Sequence, residues 1–286
     1  MARQRPEVAT TTFSLGFPER SYSELDWARE SAALCGIKYF QEVLTGDILS
    51  DLERIVYISD EPFADTSVIP LYHFAAFSRQ KVTVCLSGDG ADEICADYET
   101  YVADKQHHLS RFIPRPLTRS IGKCLETLLQ PSFDKVSTDY KVKHFLCGYG
   151  LTQTAAHYSW RLNFDDAGKR RLLRDTPERG SNECDPSARF ETIADEVSGC
   201  HYLDQAMYVD IKTWLADDIL TKVDRATMAH SLEARVPFLD HRVVEFAASL
   251  PVGWKLKGLR KKHTLKLSQR DHLPDNVLNR KKTRIQ

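Results

Sequence analysis

The most informative segment of the chain is Val82-Thr83-Val84-Cys85-Leu86-Ser87-Gly88-Asp89-Gly90-Ala91-Asp92-Glu93. Its first half is apolar and β-branched, which predicts a buried parallel strand, and the abrupt change to Ser-Gly predicts a glycine loop after that strand. We expect a helix running through Tyr101 behind the loop. Ligands of parallel sheets bind beyond the carboxyl ends of the strands, so this loop is the first candidate for a binding site.

Two kinds of residue in this loop suit an anionic ligand that carries a metal ion. Gly88 and Gly90 allow backbone amide groups to point at an anion, and the start of the next helix adds positive potential. Asp89, Asp92 and Glu93 supply the oxygen atoms that hard cations prefer. A segment this short is equally compatible with a plain acidic turn after a core strand, so taken alone it leaves both interpretations open.

The overall composition argues against several classes of partner. The 286 residues contain 39 Lys and Arg against 40 Asp and Glu, so no net field attracts nucleic acid or an anionic membrane surface. No segment approaches the roughly 18 apolar residues of a membrane span, and the first residues lack the apolar region of a signal peptide. The seven cysteines are scattered and never spaced as CxxC, which favours reduced thiols over disulfides or a zinc site. We therefore expect a cytoplasmic protein that binds neither nucleic acid nor membranes.

The first region, residues 1–104, alternates between strand and helix patterns. Strands are predicted at 10–17, 38–44 and 82–86, and helices at 21–35, 47–58 and 66–78. Ser21 and Glu24 form a capping box for the first helix, and Gly36 suits the left-handed residue that ends it. Such alternation predicts an α/β fold with a doubly wound parallel sheet, in which Gly16, Ser87 and Gly88 meet at the carboxyl ends of the strands.

The second region, residues 105–286, loses the strand patterns and is predicted to be helical. Its polar segment 175–185 is rich in turn residues and is predicted to be a mobile loop. Apolar residues at helical spacing within 202–230, such as Met207 and Leu215, indicate packing rather than a cofactor site.

Three further patterns in this region concern charged residues. Asp218, Lys222 and Arg225 share one helical face, and they form either a functional cluster or ordinary helix-stabilising pairs. Residues 233–240, in which Pro237 fixes the backbone, predict a buried corner. The lysines and arginines of 255–284 indicate a solvated basic surface.

Several separated blocks, in the same order, resemble the synthetase domain of glutamine-hydrolysing asparagine synthetases and of related amidotransferases. A series of this kind is far more specific than one short motif, and it spans most of the chain, with 105–200 as the weakly matched part. The resemblance implies an adenine nucleotide alpha hydrolase-like fold. The blocks are Phe13-Ser14-Leu15-Gly16-Phe17, Asp60-Glu61-Pro62-Phe63-Ala64-Asp65, Ser87 to Glu93 with Tyr98, Lys222-Val223-Asp224-Arg225, Met228 to Asp240, and Lys262-His263-Thr264-Leu265-Lys266.

The resemblance implies an ATP-dependent ligase that forms an amide. In that family the side-chain carboxylate of aspartate is activated as an acyl-adenylate, and ammonia then displaces AMP. By position, Leu15, Ser87 and Gly88 would bind ATP, and Asp92 would bind Mg²⁺. Asp89 would assist the ammonia step, and Lys262 would face the developing negative charge on the acyl-phosphate oxygens. The implied partners are ATP, aspartate or another carboxylate, ammonia, and a separate glutaminase domain.

The chain also departs from the family pattern. The pyrophosphate loop Ser-Gly-Gly-x-Asp-Ser and the glutaminase domain are absent from the sequence, and Cys95 and Asp97 stand where family members usually have small or aromatic residues. We therefore expect a fragment or degraded copy of a larger enzyme that does not make asparagine by itself. Since the absent loop follows a central strand in that fold, we also expect unpaired inner sheet edges and low stability. Two alternatives are a catalytically silent paralogue and an amidotransferase acting on another carboxylate.

Overall fold

The structure is a computed structural model that describes residues 10–19, 22–45, 50–110, 138–162, 164, 166–172 and 186–279. Its strands are β1 (Thr11–Gly16), β2 (Lys38–Val43), β3 (Val84–Leu86) and β4 (Glu233–Arg235). Its α-helices are α1 (Leu25–Cys35), α2 (Leu52–Ser59), α3 (Val68–Arg79), α4 (Ala91–Ile94), α5 (Glu99–Ser110), α6 (Thr138–Cys147), α7 (Gln153–Ser159), α8 (Asp166–Leu172), α9 (Pro186–Asp195), α10 (Tyr202–Asp210), α11 (Thr221–Met228), α12 (His241–Ser249), α13 (Val252–Lys255), α14 (His263–Ser268) and α15 (Asp275–Leu278). A π-helix (Ile211–Leu220) lies between α10 and α11, and a 3₁₀ turn (Pro237–Leu239) follows β4.

The chain divides into two compact units. The first comprises Met1–Gly90, Leu215–His241 and Leu265–Gln286, and the second comprises Ala91–Trp214 and Arg242–Thr264. All four described strands lie in the first unit, where they form two parallel pairs, β1 with β2 and β3 with β4. The protein is therefore of the α/β class, with small parallel sheets.

The first pair of strands confirms the strand predictions near the start of the chain. β1 and β2 run parallel in the register from Thr11 opposite Lys38 to Gly16 opposite Val43. On one face Phe13 stacks on Phe40 with the ring centroids 5.5 Å apart, and Phe77 of α3 meets Phe13 edge-on at 5.9 Å. Aromatic side chains on neighbouring strands thus anchor this sheet to a helix.

The second pair of strands includes an element that the sequence patterns did not reveal. β3 pairs with β4 from Val84 opposite Glu233 to Leu86 opposite Arg235. The prediction of a buried corner at 233–240 is wrong, because the segment is a strand followed by a 3₁₀ turn and none of its residues is fully buried. Three residues are too few for strand periodicity to be recognised, and the strand's partner is remote in sequence.

The prediction that β3 is a buried strand is also wrong for its side chains. Val84 and Leu86 are 42% and 51% exposed. An apolar composition shows that residues suit a sheet interior, but burial also requires elements packed over the strand. The position of the strand, directly before the glycine loop, is confirmed.

The first helix ends as predicted but begins later. Gly36 adopts the left-handed conformation, with φ of 64°, and its N–H donates to the carbonyl oxygens of Ala32 and Ala33, as expected of a helix-ending glycine. The capping-box prediction is wrong for Glu24, because α1 begins at Leu25 and Glu24 precedes the helix. Ser21 itself lies outside the described residues, as do the predicted start of the second helix at Asp47 and the loop 175–185.

Each unit has its own apolar core. In the first unit, residues of α2, α3 and α11 pack together (Ile55, Val68, Ile69, Tyr72 and Ala226). In the second, residues of α5 and α10 pack with Ala96 and Leu256 (Tyr101, Leu203, Ala206 and Met207). The interpretation of Met207 and Leu215 as packing residues is confirmed, since both are buried. Within the described residues, no helix is long and apolar enough to cross a lipid bilayer.

Candidate active site

The glycine loop in the first unit is held by backbone and side-chain contacts. The Ser87 N–H donates to the Arg235 carbonyl oxygen at 2.8 Å, which extends the β3–β4 pairing by one residue. The Ser87 hydroxyl donates to the Asp89 carboxylate, so these two predicted site residues are in direct contact. The loop therefore presents a fixed hydroxyl–carboxylate pair at the carboxyl end of β3.

The two glycines of this loop differ in their backbone conformation and in the space around them. Gly90 has φ of 81°, and a Cβ atom there would lie 2.2 Å from Cδ2 of Leu239. At Gly88, no heavy atom of the residues that the structure describes lies within 4 Å of a Cβ position, so the loop surface is open toward them. Gly90 is thus needed for packing and backbone conformation, whereas Gly88 leaves space in front of the loop.

We expect replacement of Gly90 by alanine to destabilise the protein by about 2–4 kcal/mol, because it adds both left-handed backbone strain and a clash with Leu239. Gly88→Ala is the matched control and is expected to cost less than about 1 kcal/mol. Urea denaturation of both variants measures the difference. Equal stabilities would show that the loop relaxes freely around residue 90.

Leu15 lies at the carboxyl end of the other parallel pair. It is half-buried and precedes Gly16, whose carbonyl oxygen accepts from the Leu44 N–H at 2.9 Å. A Cβ atom at residue 16 would lie 2.4 Å from Cδ1 of Leu25, so a larger residue there would require the Leu25 side chain, at the start of α1, to move. Leu15, Ser87, Gly88 and Asp89 all belong to the first unit, and each lies at or just beyond the end of a parallel strand.

The other two predicted site residues lie together in the second unit. The Lys262 ammonium is 2.6 Å from Oδ1 of Asp92, in α4, and 3.1 Å from Oδ2 of Asp97. Burial alone would lower the pKa of Lys262, but the charges of Asp92 and Asp97 outweigh it and raise the pKa above its usual value. Lys262 is therefore a fixed cation near neutral pH, although it lies 170 positions after Asp92 in the sequence.

Glu93, next to Asp92, faces the interior of the second unit. It is almost fully buried and accepts a hydrogen bond from the Tyr98 hydroxyl. Burial raises the pKa of Glu93, although the Tyr98 hydrogen bond acts in the opposite direction. The Arg161 guanidinium lies 4.4 Å from the centre of the Tyr98 ring, a cation–π contact that holds the ring in place.

Behind Tyr98 lies a buried charge network. His157 is 2% exposed, and its ring nitrogens lie 2.7 Å from Oδ2 of Asp104 and 3.1 Å from Oδ1 of Asp210, two carboxylates with no exposure. The Arg161 guanidinium donates to the other oxygen of Asp210 at 2.6 Å, and the Gln153 amide donates to Asp104 at 2.9 Å. Burial alone would lower the pKa of His157, but Asp104 and Asp210 raise it to about 10. The imidazole is thus a buried cation between two carboxylates.

The acidic segment 60–65, which precedes α3, is tied to α11 within the first unit. Lys222 forms an ion pair with Asp65, and Arg225 forms one with Asp60. Burial tends to raise the pKa of Asp65, but the Lys222 hydrogen bond and charge lower it overall. Both cations therefore pair with another segment rather than along their own helix, and they position the segment 60–65.

The metal prediction can be compared with the donor atoms present. Among the described residues, no group of three or more His, Cys, Asp or Glu side chains could hold a metal ion. Magnesium is usually bound through one or two carboxylates together with substrate phosphates, and the half-buried Asp92 carboxylate fits that role. The residues therefore suit a metal ion that arrives with a nucleotide rather than a preformed metal centre.

Sequence reasoning did not assign a role to Asp97 or to the network residues Asp104, His157, Arg161 and Asp210. Isolated polar residues in helical segments carry no local signal of a buried contact, and the partners here lie far apart in sequence. Asp97 was noticeable only as a departure from the pattern of the resembling family.

Comparison with known proteins agrees with the motif series. The family model for asparagine synthase matches residues 1–286. Over 277 residues the chain is 34% identical to the glutamine-hydrolyzing asparagine synthetase 1 of Bacillus subtilis (strain 168), covering 95% of this chain and 41% of that protein. Over 289 residues it is 33% identical to a putative glutamine-hydrolyzing asparagine synthetase of Mycobacterium tuberculosis (strain ATCC 25618 / H37Rv), covering 98% and 41%.

A more distant relative carries a different name. Amidase chyE of Penicillium rubens is 24% identical over 291 residues, covering 93% of this chain and 42% of that protein. The chain thus spans about two-fifths of the length of these curated relatives.

Proposed function

Because the chain belongs to the asparagine synthase family, we propose that it is the synthetase part of an ATP-dependent ligase that converts a carboxylate and ammonia into an amide. The proposed carboxylate is the side chain of aspartate, and the product is asparagine. The observation that carries the proposal is the contact between Lys262 and Asp92, two family motif positions that are 170 positions apart in the sequence and lie 2.6 Å apart in the structure.

The first step is activation of the carboxylate. A carboxylate oxygen of the substrate attacks the α-phosphorus of ATP, an acyl-adenylate forms, and pyrophosphate leaves. Leu15, Ser87 and Gly88 are proposed to bind the nucleotide; the open position at Gly88 allows a phosphate to approach the backbone. Asp92 would hold Mg²⁺, which neutralises charge on the phosphates when bound.

The second step is transfer to ammonia. The ammonia nitrogen attacks the acyl carbonyl carbon, loses a proton, and AMP departs with the electrons of the carbon–oxygen bond. Asp89 is proposed to accept the proton, a role that suits a half-buried carboxylate already fixed by the Ser87 hydroxyl. Lys262 is proposed to stabilise negative charge on the acyl-phosphate oxygens, which a cation held at a fixed position does without reorganisation.

The proposal extends to the fold and the partners. We propose that the two parallel pairs belong to one doubly wound sheet of the adenine nucleotide alpha hydrolase-like type, with residues 1–104 as the nucleotide-binding region and 105–286 as the helical region. The relatives named as glutamine-hydrolyzing enzymes support a glutaminase domain as the source of ammonia. We propose a cytoplasmic location and no nucleic-acid partner.

Exchange of labelled pyrophosphate into ATP, dependent on aspartate, tests the activation step directly in the chain extended by the pyrophosphate-loop segment that its own sequence lacks. We expect exchange in the wild type and a loss of about 10²-fold or more in Gly88→Asp, because the added carboxylate would repel the phosphates at the loop. Gly88→Ala is the structural control. Binding of ATP without any exchange would contradict the proposal and identify a silent paralogue.

A second candidate is an amidotransferase that acts on another carboxylate. The observation that favours it is the match to a protein named amidase chyE, which covers 93% of this chain. Exchange that is stimulated by other carboxylates but not by aspartate would select this candidate.

A further inference from the structure

Asp97 is held rigidly in the second unit. The N–H of Asp97 donates to the carbonyl oxygen of Asp92 at 3.0 Å, so its backbone is tied to α4. The preceding residue, Ala96, is fully buried and has φ of 55°. A left-handed alanine is unfavourable and persists only where its surroundings dictate the conformation. The direction of the Asp97 side chain is therefore fixed by the backbone on which it stands.

Lys262, the partner of Asp97 in this contact, is also held by its backbone conformation. It also has a left-handed backbone, with φ of 50°, and its ammonium contacts both Asp92 and Asp97. The two carboxylates differ in exposure: the side chain of Asp97 is 9% exposed and that of Asp92 is 22% exposed. Asp97 is thus the more interior of the two anchors.

The carboxylates of Asp92 and Asp97 also differ in their proposed roles. Lys262 contacts Oδ1 of Asp92, and the proposed metal ion would share that carboxylate with it, whereas no metal role is proposed for Asp97. A lysine ammonium has three N–H donors. With Asp97 using one of them, two donors become free for ligand oxygens once Asp92 is engaged elsewhere.

We propose that Asp97 is a positioning residue for Lys262, one that keeps the ammonium in place independently of Asp92. The inference rests on the proposed roles of Lys262 and Asp92, and it deepens them by naming the group that holds the cation when Asp92 binds a metal ion. Asp97 is not proposed to touch the substrate.

The neighbouring lysine provides an internal control. Lys261 pairs with Glu99 at 2.7 Å and lies 4.0 Å from Asp97. If the acidic residues only supplied diffuse negative charge, removing the charge of Glu99 would affect Lys262 about as much as removing that of Asp97. If Asp97 positions Lys262 through a direct contact, Glu99→Gln will affect Lys261 alone.

The test is nuclear magnetic resonance of the lysine ammonium groups in the full chain, with the aspartate side chains labelled with ¹³C. In the wild type we expect a slowly exchanging Lys262 ammonium with a scalar coupling to the Asp97 carboxylate carbon. In Asp97→Asn, the exchange of its protons with water should accelerate by about tenfold or more, as expected for loss of a hydrogen bond between charged groups. In Asp92→Asn, which imitates the loss of Asp92 to a metal, the Lys262 signal and its coupling to Asp97 should remain.

Three results would overturn the proposal: no coupling in the wild type, equal acceleration in Asp92→Asn and Asp97→Asn, or the same acceleration in Glu99→Gln. Backbone amide spectra of α4 separate a specific loss of the ammonium contact from general unfolding, and the wild-type coupling decides the matter even if Asp97→Asn fails to fold. The measurement needs neither ATP nor turnover. Its failure is therefore distinguishable from failure of the proposed function, which the exchange assay tests.

Discussion

Replacement of His157 by leucine is expected to destabilise the protein by about 3–5 kcal/mol, the usual cost of removing one partner from a buried ion pair. The imidazole lies between Asp104 and Asp210, both without exposure. After the replacement, Asp210 keeps its contact with Arg161, but Asp104 retains only the amide of Gln153 as a described side-chain partner. A carboxylate in that position has to be buried with its charge uncompensated or take up a proton. Urea denaturation followed by circular dichroism measures the loss.

Because Asp104 and Asp210 keep different partners in His157→Leu, a second substitution at one of them should restore stability and at the other should not. Asp104→Asn should recover part of the stability in the His157→Leu background because it removes the stranded charge, whereas Asp210→Asn should not, because it strands Arg161 instead. His107→Leu is the matched control: His107 is also buried in the second unit, but its partner is the neutral side chain of Gln153, at 3.3 Å. Equal destabilisation by the two leucine variants would show that shape rather than charge matters at His157.

The same network predicts how stability depends on pH. In the folded protein the pKa of His157 is raised from 6.5 to about 10, so its contribution to stability is fully present below about pH 6.5 and is lost as pH rises through about 10. The wild type should therefore lose stability between pH 7 and 10.5 by an amount that His157→Leu does not lose, on the order of a few kcal/mol. Parallel pH profiles for the two proteins would contradict a charged imidazole.

How much of the fold and of the candidate site could be predicted from the sequence depends on how far apart in the chain the interacting residues lie. Gly36 and the strands β1 and β2 were predictable because a helix-ending glycine and a run of β-branched residues act within a few positions. The ion pair between Lys262 and Asp92 could be anticipated only through a family resemblance, since no local pattern links positions so far apart. β4, with three residues, carried no local signal of a strand, and the His157 network carried no signal of either kind. Their existence depends on tertiary packing.

The glycine loop and the short helix after it show that sequence spacing is also a limited guide within a single motif. The segment from Ser87 to Glu93 predicted one cluster of carboxylates, but the structure gives its members three different partners. Asp89 accepts from Ser87, Asp92 pairs with Lys262, and Glu93 accepts from Tyr98 inside the second unit. Residues close in sequence on a turn and a short helix point in different directions, so the spacing alone could not separate a proposed base, a proposed metal ligand and a structural carboxylate.

In the chain extended by the missing pyrophosphate-loop segment, Lys262→Ala is expected to lower ATP-dependent amide formation by about 10²–10³-fold, the range found when one preorganised donor to developing charge is removed. Lys261→Ala is the control: both lysines belong to the same basic segment, and Lys261 pairs with the exposed Glu99, whereas Lys262 is held by Asp92 and Asp97. Removing Lys261 changes only the long-range electrostatic potential, which solvent screens. We therefore expect Lys261→Ala to lower the rate of amide formation by less than about threefold. Initial rates at saturating ATP distinguish the two variants. Equal losses of rate in the two variants would mean that the segment supplies only diffuse positive charge and that Lys262 has no specific role in the reaction.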